Sequence, residues 1–302
     1  MGTRLFRAAF AGVALATAAT AASARDIAIG ANPPGSIYER AGVAIGAVLQ
    51  DRLGVAVTVR HFSGSGPVVA ALGRGEVQLA LVLAADLPGP DSGVRLMCAV
   101  MVLPFGIAVP AHSPVRAVAD LKGRAVSSGF ADQPAVARLA AALLANGGLA
   151  PDDVAGVPVR SLFEGAYRLG EGRLDAAMAM PGIHALRWAA DRLAPRGGIR
   201  FVGLDTAPDA VAAMRRVLPV ALRALPAEAN PPGAMVAGYP VFLAAHAGLD
   251  TATARAVVTA VAGALGRLAA TDPVFRHADP ATLHVAAGLP YHEGALAALG
   301  TR

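Results

Sequence analysis

The order of elements implied by residues 27–83 constrains this chain most. Ile27-Ala28-Ile29 is a short apolar run of the kind that opens a buried strand. Asn32-Pro33-Pro34-Gly35 then interrupts regular structure, because the prolines fix φ and the glycine opens the turn region. Ser36 stands where an N-cap belongs, and Ile37, Ala41, Ala44, Ile45 and Val48 recur behind it at helical spacing. Residues 55–59 are valine-rich and read as a second strand. The polar loop His61-Phe62-Ser63-Gly64-Ser65-Gly66 leads to a helix over 67–72 with Pro67 at its first position. Residues 77–83 form a third strand, closed by Ala84-Ala85-Asp86. A β-α-β-α-β order demands a parallel sheet with helices on its faces. Ligands of such sheets sit beyond the carboxyl ends of the strands, which is where these loops lie.

A strand, a Pro/Gly loop and a helix start leave backbone N–H groups facing a crevice. With the positive end of the helix dipole, they suit an anion such as a carboxylate. For residues 27–42 taken alone, a plain βα turn without a ligand is the simpler reading.

Further along, 94–102 and 105–109 read as two buried strands parted at Pro104. Residues 125–128 form a strand, 135–145 a helix stopped by Asn146-Gly147-Gly148, 157–159 a strand and 162–169 a helix. Residues 172–180 turn into a strand, and Pro181-Gly182 opens a helix through His184 to Asp191. The second half thus repeats the plan of the first, as architecture rather than as sequence. A helix over 209–225, the loop Asn230-Pro231-Pro232-Gly233, a strand over 239–245, a long amphipathic helix over 251–270 and a short helix around Leu296 complete the pattern.

Arg4 and Arg7 precede an uncharged apolar stretch over 8–22, and Ala22-Ser23-Ala24 fits a signal-peptidase site. Residues 1–24 therefore read as a Sec-type signal peptide, and the expected location is the periplasm. Cys98, the sole cysteine, rules out an intramolecular disulfide and reads as a small core residue. With 55% hydrophobic and 16% charged residues, the chain can bury a large core in one domain or two lobes. The net charge of +5 rests almost wholly on dispersed arginine, Lys122 being the one lysine, so nucleic acid is not an expected partner. No Gly-x-Ser-x-Gly elbow, HExxH pair or P-loop lysine is present. The seven histidines are scattered, His277 and His284 lying either side of Pro280. The expectation is a protein without catalytic residues, cofactor or bound metal.

Four stretches resemble the TAXI group of TRAP-transporter solute-binding subunits, which are type II periplasmic-binding-protein-like. IGANPPGSIYERAG is similar to that group's Gly-Gly-x-Tyr loop, with Gly35 and Tyr38 matching and Pro34 replacing the first glycine. Ser63-Gly64-Ser65 before a helix, with LGRGEVQLAL over 72–81, is the second. LKGRAV over 121–126 and LGEGRLDA over 169–176 are the others, and both are widespread among binding proteins. The 239–245 strand adds to the likeness. Three loops depart from the group: Leu83-Ala84-Ala85-Asp86 stands for a Gln-Ser-Asp turn, Ala131-Asp132-Gln133-Pro134 for Gly-Ser-Gly-Thr, and Met178-Ala179-Met180 for a Phe-rich strand.

The resemblance implies an α/β fold of two lobes joined by a two-strand hinge, lobe 1 being 26–109 plus 240–302 and lobe 2 being 110–239. Such a protein would close on a small solute and hand it to TRAP membrane permease subunits. An ABC importer, a tripartite tricarboxylate importer or a sensor system is the alternative partner, and a small-molecule enzyme is a weaker reading. The implied ligand is an amino acid such as glutamate, or a small dicarboxylate or oxoacid, and a monomer is the expected state. In lobe 1 the expected ligand contacts are Asn32, Gly35, Ser36, Tyr38, Ser63, Gly64, Ser65 and Asp86. In lobe 2 they are Asp132, Gln133, Met180, Pro181, Gly182 and His184. Converging helix ends hold the anion in this reading without an arginine clamp.

Overall fold

A computed structural model describes residues 26–218, 223–226 and 234–300, the side chains of 223–226 excepted. The expected signal segment and the Asn230-Pro231-Pro232-Gly233 loop lie outside these residues. The first five elements follow the expected order: β1 (Ile27–Ala31), α1 (Ile37–Leu53), β2 (Val57–His61), α2 (Ser65–Gly73) and β3 (Leu79–Leu83). α2 begins two residues before Pro67. β1 pairs in parallel with β2 on one side and β3 on the other. α1 lies close against this sheet because its inner face carries small residues: a Cβ at Gly46 would stand 3.1 Å from Val57 Cγ1.

β4 (Val94–Pro110) is one strand of 17 residues, where the sequence suggests two parted at Pro104. Proline lacks an N–H and suits a stretch with an unpaired edge. At Pro104 the other edge of β4 has no partner among the described residues, since the next ones start only at Gly106 and Ile107. Then follow β5 (Ala125–Gly129), α3 (Pro134–Asn146), β6 (Ala155–Val159), α4 (Leu162–Gly170), β7 (Ala177–Ala179), α5 (His184–Arg192) and β8 (Ile199–Val202). Next are α6 (Pro208–Val217), β9 (Arg223–Pro226), β10 (Met235–His246), α7 (Thr251–Ala262), α8 (Leu265–Thr271) and α9 (Glu293–Leu299).

Two of these correct the sequence reading. The helix expected over 209–225 ends at Val217, because Leu218 turns extended and buries its side chain completely, and residues 223–226 pair with β10 instead. The helix expected over 251–270 is two helices bent by 60°. The Gly263 carbonyl accepts a bond from Arg52 Nη2 at 3.0 Å, which diverts it from the helical ladder. Among the described residues no single helix is long and apolar enough to cross a membrane.

The main sheet runs β2-β1-β3-β10-β4-β7, with β8 on β4 and β9 on β10. β10 is antiparallel to both β3 and β4. β4 pairs with β10 from Val94 to Phe105, and its final residues, Gly106 onward, pair with β7 and β8. β5 and β6 pair in parallel, and a bridge from Val126 to Ala176 ties β5 to the residue before β7. Where β4 changes partners, the buried Phe105 and Tyr239 rings meet edge to face at 5.6 Å and 80°. Gly106 is required there: a Cβ would come within 2.8 Å of the Phe201 ring and 2.9 Å of Val236. One large apolar cluster fills both sides of β1–β4 and continues under α3, and a smaller one surrounds Ala108, Leu169, Leu186 and Phe201. Cys98 is fully buried in the large cluster, which pushes its thiol up to about 12.

Candidate functional site

The carboxyl ends of β1, β2 and β3 bring three loops together. Ser36 caps α1, its Oγ accepting the Glu39 N–H at 3.1 Å, so the helix start forms as the sequence implies. Asn32 Nδ2, at the end of β1, lies 3.5 Å from Ser65 Oγ at the start of α2. Asp86, in the short turn Ala84–Asp86 after β3, faces the same group. Burial raises its carboxyl above the ordinary range, and the nearby Ser65 hydroxyl and Arg138 guanidinium pull the other way. Tyr38, the second residue of α1, is half-buried and its hydroxyl is enclosed. Burial first, and the Asp86 charge second, raise its pKa.

Four of the expected residues, Asn32, Tyr38, Ser65 and Asp86, thus converge. A fifth group arrives from another element: Arg138 of α3 donates from Nη1 to the Ala85 carbonyl at 2.9 Å. The sequence reading assigned no arginine to the site. A signal for it existed, since Arg138 is the one charged residue in the α3 sequence PAVARLAAALLAN. Nothing in the sequence said which side of the fold it would reach.

The remaining lobe 1 residues are placed less tightly. Gly35 has φ 81° and is exposed, and its carbonyl takes a long 3.4 Å bond from Arg40 Nη1. Ser63 is exposed, and the Gly64 carbonyl starts the α2 ladder by accepting Val68 N–H at 3.2 Å.

Residues expected from lobe 2 sit at the starts of α3 and α5, beyond β5 and β7. Asp132 is held by Arg160 through two bonds, 2.9 Å and 3.2 Å, in an exposed pair. Gln133 Oε1 accepts the Leu162 N–H at 2.9 Å and so links the starts of α3 and α4. Met180 and Pro181 are half-buried. Gly182 has φ 86°, and its carbonyl accepts from Arg187 Nη1 at 2.8 Å. His184 stacks on Phe163 at 5.4 Å and 27°, with Nε2 3.0 Å from the Tyr167 hydroxyl. Among the described residues, no hydrogen bond or ion pair joins Asp132, Gln133 or His184 to the Asn32–Ser65–Asp86 group. The side chain that bridges is Arg138. The arrangement can offer an anion a guanidinium, an amide and two hydroxyls, and can offer a donor the Asp86 carboxylate.

Residues 29–299 match the profile of the NMT1-like family. No curated protein sequence matches the chain. Among solved structures, the periplasmic aliphatic sulphonate binding protein SsuA of Escherichia coli is 16% identical, with a TM-score of 0.53 over 92% of this chain and 75% of that one. A protein described as the periplasmic sulfonate-binding SsuA of an ABC transporter from Methylobacillus flagellatus is 17% identical, with a TM-score of 0.53 over 82% and 70%. A histidine kinase sensor domain with similarity to periplasmic binding proteins is 15% identical, with a TM-score of 0.50 over 84% and 97%. At these identities the likeness is one of fold, and the fold is that of the periplasmic binding proteins.

Proposed function

The chain belongs to the NMT1-like family, and from that premise we propose that it is an extracytoplasmic solute-binding protein for a small carboxylate-bearing solute. In this reading lobe 1 (26–109 plus 240–302) and lobe 2 (110–239) close on the ligand, with β4 and β10 as the hinge where Phe105 meets Tyr239. Arg138 carries the proposal. It reaches from α3 to the loop bearing Asp86, beside Asn32, Ser65 and Tyr38, so that groups from both lobes face one solute. A guanidinium bound to a carboxylate is a charge-assisted contact worth about 1.5–3 kcal/mol. Closure follows because such a contact is made better when the lobes are together. The enclosed Asp86 favours a ligand that also carries a donor, as an amino acid does. The export-like N-terminus supports a periplasmic location, and the TAXI-like loops support a TRAP-type permease as the partner.

A second reading keeps the site and changes the anion and the partner. The fold shared with two periplasmic sulfonate-binding proteins, one of them described as part of an ABC transporter, makes an alkanesulfonate the competing ligand, since a sulfonate takes the same donors. Calorimetric titration of the purified protein with glutamate, succinate, 2-oxoglutarate and ethanesulfonate separates the two. A carboxylate should bind, and Arg138→Ala and Tyr38→Ala should each weaken it at least tenfold. Binding that ignores both substitutions would remove this site from the function.

A further inference from the structure

Side chains alternate along a strand, so Gly238 and Pro240 face the side of β10 opposite Tyr239. On that side lies a cavity of about 230 Å³. One water needs roughly 10–15 Å³ on a comparable measure, so the space admits a molecule of several heavy atoms. Met101 of β4 and Pro240 of β10 give it an apolar floor. Arg215 of α6 forms one wall, and His277, Thr282 and His284 form another. Arg215 makes no ion pair among the described residues. Asp279, the one acid of the 277–285 segment, is not part of the lining, and its carboxylate accepts the Ala281 N–H at 2.9 Å. The His284 ring is braced against Tyr291 at 4.5 Å. A guanidinium and two imidazoles above an apolar floor suit one chemistry, a small anion with an apolar body; the Thr282 hydroxyl already donates to the Asp279 carbonyl at 3.1 Å.

We propose that this cavity is a second ligand site, separate from the Asn32–Asp86 group, for an aryl or short alkyl carboxylate. Its walls belong to different parts of the fold. α6 is fastened to α3, with Asn146 Nδ2 donating to the Asp205 carbonyl at 2.8 Å and lying 3.4 Å from Met214 Sδ. The 277–285 segment is fastened to β4, where Ala99 N–H donates to the Leu283 carbonyl at 2.8 Å. An occupant held by Arg215 and the imidazoles ties the two together behind the point where β4 changes partners. The proposal stands whether or not the site at Asp86 is the transport site.

Benzoate and hexanoate are suitable probes, read by the histidine ring resonances of the purified protein. Of seven histidines, only those of His277 and His284, assigned by H277Q and H284Q, should shift saturably. Arg215→Gln should weaken the response at least tenfold, benzamide should fail to reproduce it, and Tyr38→Ala should leave it unchanged. Absence of a shift with both probes, an unaltered affinity in Arg215→Gln, equal binding of benzamide, or a loss in Tyr38→Ala would each overturn the site.

Discussion

The chain builds the same strand order twice and finishes the two copies differently. The first runs β2-β1-β3-β10-β4, with β10 alone antiparallel to the other four strands. The second runs β6-β5, bridges to β7, and continues through β4 to β8. At the carboxyl ends of the first three strands, one copy encloses its acid, Asp86, and the other leaves its acid, Asp132, exposed in a pair with Arg160. The central strands differ as well. β1 packs Ile29, fully buried, against α1, whereas β5 turns the buried Ser127 toward Gly165 of α4, its Oγ accepting Met178 N–H at 2.9 Å. Topology repeats, and the dielectric setting of each copy is decided by a handful of side chains.

Five substitutions can break or sharpen that contrast. The largest effect belongs to the apolar centre: Ile29→Ala should cost about 2–5 kcal/mol by urea denaturation, the range for a large core residue cut to alanine. A loss under 1 kcal/mol would mean that the first copy does not depend on its interior as described. Ser127→Ala should cost about 1–3 kcal/mol, because it leaves the Met178 N–H buried without an acceptor. Equal or greater loss than at Ile29 would invert the comparison.

The third prediction concerns pH. Burial holds the Asp86 carboxyl above its ordinary 3.8, so between that value and its native one the folded chain keeps a proton that the unfolded chain releases. Its contribution is complete below 3.8 and is lost as pH rises through the native value, so stability falls with rising pH in that window. Asp86→Asn should remove that fall. Glu164, at the start of α4, has the opposite sign. The Arg160 N–H bond at 2.7 Å is the main cause lowering it below 4.5, so its contribution is present above 4.5 and lost as pH falls through the native value. Urea midpoints of wild type, Asp86→Asn and Glu164→Gln across a pH series check both signs, and parallel curves would refute them. The smallest effect should be Asp132→Asn. It breaks an exposed, solvent-screened pair and should move the urea midpoint by no more than the spread between repeats. A clear shift would show that the Asp132–Arg160 pair is not merely a surface contact.

The sequence made the first copy legible nearly to its ends, because hydrophobic period, proline and a capping serine all agree from Ile27 to Leu83. It misled where tertiary partners overrule local punctuation. Pro104 looks like a break, yet it is tolerated within β4 because one edge has no partner there among the described residues. The helix over 251–270 looks continuous, yet the Gly263 carbonyl is claimed by Arg52 from α1. For the site, residues on βα loops could be named because the parallel sheet dictates where those loops gather. Arg138 could not, since its role depends on α3 lying over the Ala84–Asp86 turn, a contact between elements far apart in the chain. The pairing of Asp132 with Arg160 was hidden for the same reason.

β10 sits between β3 and β4 and arrives near the end of the chain. A polypeptide emerging from its amino terminus therefore holds β1 to β3 beside a vacant slot until Met235–His246 has appeared. Such a chain stays unfinished, and threadable through a narrow passage, for most of its synthesis, and the last strand to be made locks the sheet.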